Sequence, residues 1–146
     1  MHIEDVAGHL KRREAQRGLC YTFGIPATPD LTTATEARLG ISFPQQVTRF
    51  YRHYDGIRIE EPPLEVLPVA RFTFVAPQRL HFATVDESHL LGFDTSAFNE
   101  AGQWKIVDIE SDYRVTLTMA SFWSNKIWAW IDKRRTIWKP ESALDE

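Results

Sequence analysis

A chain of 146 residues that is 43% hydrophobic, with five Trp, nine Phe and four Tyr, is expected to be one domain with an aromatic core, and its composition excludes a disordered chain. A formal charge of −3 supplies no clustered cationic surface for phosphates, so direct nucleic-acid binding is not expected and a basic protein partner suits it better. The single Cys20 excludes an internal disulfide, no apolar run approaches the ~20 residues that span a bilayer, and MHIEDVAGHLKRR interleaves charges where a signal peptide is apolar. The expected location is therefore cytoplasmic, with no membrane association.

Residues 3–17 carry Ile3, Val6, Ala7 and Leu10 at helical spacing before the charged Lys11-Arg12-Arg13-Glu14, which predicts an amphipathic N-terminal helix within residues 1–18. Its basic end is read as a solvated helix terminus. Pro26 and Pro29 predict an extended connector over 19–31, with Cys20 as a buried structural thiol. Thr33 and Glu36 form a T-x-x-E capping pattern for a short helix stopped by Gly40. Pro44 stands as a first helical residue, Val47, Phe50, Tyr51 and Tyr54 follow at i, i+3, i+4, i+7, and Asp55-Gly56 supplies the exit.

After Gly56 the period shortens. Ile57 and Ile59, then Leu64 and Val66, predict two strands about the Glu60-Glu61-Pro62-Pro63 break. In 69–75 the alternation places Ala70, Phe72 and Phe74 on a core face. Residues 80–94 read as two antiparallel strands joined through Asp86-Glu87-Ser88-His89, 95–103 as a polar loop, and 104–109 as a strand with Trp104, Ile106 and Asp108 on one face. A short extended piece over 113–117 leads to a final helix capped by Ser121, with Trp123, Ile127, Trp130 and Ile131 as its apolar stripe, and then to a tail over 136–146 that is polar apart from Ile137 and Trp138.

Catalytic and metal patterns fail on spacing. The five histidines form no H-x-x-x-H or H-E-x-x-H, the glycines form no phosphate cradle, and adjacent Glu60-Glu61 would point to opposite faces of a strand. No catalytic residue, cofactor or metal ligand is assigned. Asp86, Glu87 and His89 come nearest to a ligand set and leave a metal-dependent hydrolase as a remote alternative, although such residues in a hairpin loop are mostly turn chemistry. The remaining signal is acidic. Glu60, Glu61, Glu65, Asp86, Glu87, Asp108, Glu110 and Asp112 lie in or beside the loops of the expected sheet, with Asp94 and Glu100, and would steer a basic protein partner. A solubilising set of carboxylates explains the same residues.

Glu36, Leu39-Gly40, Phe43-Pro44, Phe50-Tyr51 and Asp55-Gly56 follow the order E-x-x-L-G…L-P…F-Y…N-G. With Phe82-Ala83, Gly92-Phe93-Asp94 and Ala120-Ser121-Phe122 further on, residues 31–131 resemble the SUKH superfamily, which includes the yeast cell-wall-assembly regulator and many bacterial immunity proteins. Asp55 departs from the family's asparagine, preserving turn geometry while removing any contact made by the amide. The resemblance implies a single α+β domain with a curved, mainly antiparallel sheet flanked by helices. It also implies a non-catalytic immunity protein that binds and neutralises a cognate polymorphic toxin, often a nuclease. A regulatory scaffold of the cell-wall-regulator kind, binding several partners, is the alternative.

Overall fold

The amphipathic spacing at the N-terminus gives a 3₁₀ turn (Ile3–Asp5) that runs into α1 (Val6–Arg17), burying Ile3, Val6 and Leu10 and closing at Gly18 with φ 69°. The computed structural model describes residues 2–140, so part of the expected polar tail, 141–146, lies outside the described residues.

The segment expected as a connector is more ordered than its prolines suggest. It holds β1 (Tyr21–Phe23) and the start of α2 (Pro29–Leu39). Thr28, not Thr33, caps α2: its hydroxyl accepts from Leu31 N at 3.2 Å, and Pro29 sits in the first turn, where a missing N–H costs nothing. Glu36 is left to a different task, accepting from Phe43 N at 2.7 Å and so tying α2 to the chain before α3 (Gln45–His53). Gly40 ends α2 at φ 70°, whereas Pro44 is the N-cap of α3, one position ahead of the expected place.

Val47, Phe50, Tyr51 and Tyr54 are all buried, as the helical period requires. The helix ends at His53 with Tyr54 extended, so Asp55-Gly56 is a turn into the sheet rather than the helix exit. Gly56 takes φ 96°, and a Cβ there would stand 2.8 Å from Val66 O. Asp55 Oδ1 accepts from Val69 N at 2.7 Å, a contact that needs only an acceptor and that an asparagine oxygen would make equally well.

Eight strands form one antiparallel sheet: β1, β2 (Ile57–Ile59), β3 (Leu64–Val66), β4 (Thr73–Ala76), β5 (Arg79–Val85), β6 (His89–Asp94), β7 (Ile106–Asp108) and β8 (Arg114–Thr116). The order is β1-β2-β3-β5-β6-β7-β8, with β4 also pairing β5. β3 pairs with Ala83–Val85 and β4 with Arg79–His81; the register shifts between His81 and Ala83, and Phe82 O accepts from Leu67 N. The expectation for 69–75 fails because a 3₁₀ turn at Val69–Arg71 resets the alternation: Val69 and Phe72 are buried, while Ala70 and Phe74 are exposed. Arg38 holds that turn by donating to Ala70 O and Phe72 O.

The helices and one face of the sheet enclose a continuous aromatic core. Phe82 stacks on Phe93 at 4.0 Å and meets Phe122 edge-on at 5.6 Å, while Phe50 stacks on Trp123 at 6.0 Å. Tyr51 is fully buried and donates to Leu67 O at 2.6 Å; burial pushes its hydroxyl pKa well up. The last helix starts three residues before the expected Ser121, at Thr118, whose hydroxyl accepts from Ser121 N. It runs as α4 (Met119–Ser121), a π-helical turn (Phe122–Ile127) and α5 (Trp128–Lys133). Beyond it two apolar residues of the tail pack back on the fold: Ile137 is buried, and Trp138 stacks on His89 at 4.0 Å. Cys20 is exposed, contrary to expectation, because Leu19 and not its neighbour turns inward.

Candidate functional site

Alternation along the strands sends Ile57, Ile59, Leu64, Val66 and Val85 into the core and their neighbours to the opposite face. Register then sets Thr22, Arg58, Glu65, Thr84 and Leu90 side by side across β1, β2, β3, β5 and β6. None of the five is buried, and Leu90 is 36% exposed, so this half of the sheet is uncovered on its outer face.

A groove of about 350 Å³ crosses that face, bounded by Arg58, Glu60, Pro63, Glu65, Thr84 and Glu87. A second, of about 240 Å³, continues it past Arg58 and Glu65 toward Gly56, Pro68 and Arg71. The β2–β3 and β5–β6 turns meet at one end, where Asp86 N donates to Pro63 O at 2.9 Å. Two of the expected acids, Glu60 and Glu87, thus stand at the groove without an ion-pair partner among the described residues, and Glu65 shares Arg71 at 3.4 Å. His81 lies on the same face, its ring bonded to Thr84 Oγ1 at 3.0 Å. Burial pushes its pKa down, Arg71 adds to the fall, and a bond with the Ala83 backbone and the charge of Glu65 oppose it.

The other acids are dispersed. Glu61 pairs with Arg134 at 2.9 Å, and Asp112 with Arg79 at 2.8 Å. Arg79 also holds Asp94, whose pKa ends below the usual value because the Ser96 hydrogen bonds and the charges of Arg79 and Lys105 outweigh the effect of burial. Asp108 is only 4% exposed, and its Oδ2 accepts from Ser111 N and Oγ, closing the β7–β8 turn; it presents no carboxylate to a partner. Glu110 is exposed beside it. Asp86 is exposed in its turn, where it and Glu87 take φ 56° and 64°.

His89 is held against Trp138 and does not join Asp86 and Glu87 in a ligand set; among the described residues no group of three or more His, Cys, Asp or Glu is placed to hold a metal. Of the signature residues, Phe50, Tyr51, Pro44 and Gly56 are buried, Glu36 and Asp55 bond backbone N–H groups, Leu39 packs on the core and Gly40 ends α2, so this set builds the scaffold. Sequence reasoning missed Arg58, Thr84, Leu90 and Arg71. The outward positions were readable from the triplets Ile57-Arg58-Ile59 and Leu64-Glu65-Val66, but their juxtaposition depends on strand order. No protein-family model matches the chain, and no curated protein matches it. Among the described residues no helix is long and apolar enough to cross a membrane.

Proposed function

We propose that this chain is a non-catalytic immunity protein of the SUKH kind, which binds a cognate protein toxin in the cytoplasm of the producing cell and neutralises it stoichiometrically. The observation that carries the reading is the uncovered sheet face, with an open charged groove where Glu60 and Glu87 have no ion-pair partner among the described residues, and where Arg58 lines both this groove and the one that reaches Arg71. Such a mixed surface suits a partner that offers basic side chains to the carboxylates and an acceptor to Arg58, with electrostatics setting encounter rate and register. The helix–glycine–proline–helix signature supports the family reading, since its residues fix α2 and α3 against the sheet. An exposed free thiol at Cys20 fits a reducing compartment.

Co-expression with the toxin encoded beside this chain is the test. Protection of the cell, with a one-to-one complex on copurification, is the expected result. Growth arrest equal to that of the toxin alone overturns the immunity reading, and the same protein recovering several unrelated cellular partners would favour the regulatory scaffold.

A further inference from the structure

The alternation that opens one face of the sheet also sets a cation on it. Arg58 stands between the buried Ile57 and Ile59 of β2, so its side chain is directed outward, with Thr22 of β1 and Glu65 of β3 as its cross-strand neighbours. It lines both grooves. Its cross-strand counter-ion is already engaged, since Glu65 pairs with Arg71 at 3.4 Å, and among the described residues the Arg58 guanidinium has neither an ion pair nor a hydrogen bond. The described chain ends on the helix side of the sheet, where Lys139 lies with Asn125 and Lys126, and not on this face.

A solvated arginine is the ordinary reading of such a residue, and two features of its setting argue for a partner. β2 is an inner strand, paired with β1 on one side and β3 on the other, so the backbone beneath Arg58 is held in place. A guanidinium fork so held can meet a carboxylate at two points, and arginine is enriched among the central residues that carry binding energy. The second feature is the spacing of opposite charge. Glu60 N donates to Cys20 O, so the ladder continues past β2, and Glu60 repeats the outward direction of Arg58 two residues on, roughly 7 Å away at the rise of a strand. Glu87 reaches the same groove from the β5–β6 turn. The face thus shows a cation and, one strand repeat away, two acids.

We propose that Arg58 is the specificity-determining anchor of this face, and that the cognate toxin seats an Asp or Glu on it, about 7 Å from a Lys or Arg that meets Glu60 and Glu87. The inference rests on the toxin-binding reading and adds a rule of discrimination to it. Carboxylates alone would attract any cationic protein. A toxin with a base opposite Arg58 meets like charge, so a uniformly basic surface is rejected and one with both signs in this order is accepted.

The test uses the purified chain and a toxin encoded by a neighbouring gene, with affinity read by titration calorimetry and folding by thermal unfolding. Arg58→Glu is expected to weaken the complex at least about tenfold, and Arg58→Lys less, because the ammonium keeps the charge and loses the fork. Each surface Asp and Glu of the toxin is then reversed to Arg in turn. One of these toxin variants is expected to bind the Arg58→Glu chain at least about tenfold better than the unaltered toxin does, while binding the unaltered chain worse. Arg58→Gln, which sets no second acid opposite Glu65, gives the loss of affinity if Arg58→Glu does not fold. Equal affinity in Arg58→Gln and the unaltered chain, or a full set of toxin reversals with none that restores Arg58→Glu, overturns the inference and leaves the immunity reading in place. Failure of the unaltered chain to bind the toxin at all removes both.

Discussion

Asp55 shows how a single side chain can belong to the scaffold while resembling a surface acid. Its carboxylate accepts the Val69 N–H at the start of the turn that buries Val69 and Phe72. Asp55→Ala is expected to lower stability by about 1–2 kcal/mol in a urea titration and Asp55→Asn by much less, because only the acceptor matters; equal losses would contradict this. His81 gives a pH dependence of definite sign. Its folded pKa is below the ordinary 6.5, so stability is complete above 6.5 and falls as pH drops below it, when the unfolded imidazole takes a proton that the folded one resists; the loss levels off below the folded pKa. His9 shifts the same way, through burial and then the charges of Arg12 and Arg13. His81→Gln is expected to flatten the fall in unfolding midpoint below pH 6.5, and an unchanged slope would remove His81 from the account.

Between elements, α1 and α5 are joined by a polar and aromatic clamp. Asp132 accepts from Arg13 Nε at 2.8 Å and Nη2 at 2.6 Å and also pairs with Arg17, while the Trp128 ring contacts both the His9 ring, at 5.3 Å, and the Arg13 guanidinium, at 4.2 Å. Arg13 holds the Asp132 pKa down more than burial raises it, with Arg17 assisting. The half-exposed geometry limits Asp132→Asn to about 1 kcal/mol. The pair's stabilisation is present above pH 3.8 and lost as pH falls through the lower folded value, so wild type and variant are expected to converge in acid; divergence there would contradict the assignment. Local rules made most elements legible: the periodicity of α1, α3 and the last helix, the strand pair about Asp86-Glu87-Ser88, and Gly40 as a helix stop all follow from residue spacing. The misplaced starts of α2 and of the last helix share one cause, which is competition between nearby capping residues. Thr28 prevails over Thr33 because Pro29 follows it, and Thr118 over Ser121 because Ser121 can then serve as the third residue of the capping pair. Phe74 and Cys20 misled because neither a 3₁₀ turn at Val69–Arg71 nor the phase of a three-residue strand is encoded in hydrophobicity.

At the scale of the molecule, the helices and the aromatic core lie on one side of an eight-stranded sheet, and half of the other side is open. The acidic residues chosen from sequence proved to be several populations: Glu60, Glu65 and Glu87 at a common groove, Glu61 and Asp112 in ion pairs, Asp108 inside. Which acids converge depends on the pairing of β2 with β3 and of β3 with β5, long-range facts that charge counting does not contain. The face has charge of both signs, so its expected partner is complementary in pattern rather than simply basic. The decisive measurement for the proposed immunity function is the affinity of the purified chain for a toxin encoded by a neighbouring gene, compared with a Glu60→Lys, Glu87→Lys variant whose thermal unfolding is unchanged. The face-binding account predicts a one-to-one complex weakened at least about tenfold by the double reversal, with a matching loss of protection. Full affinity and full protection in that variant would contradict it.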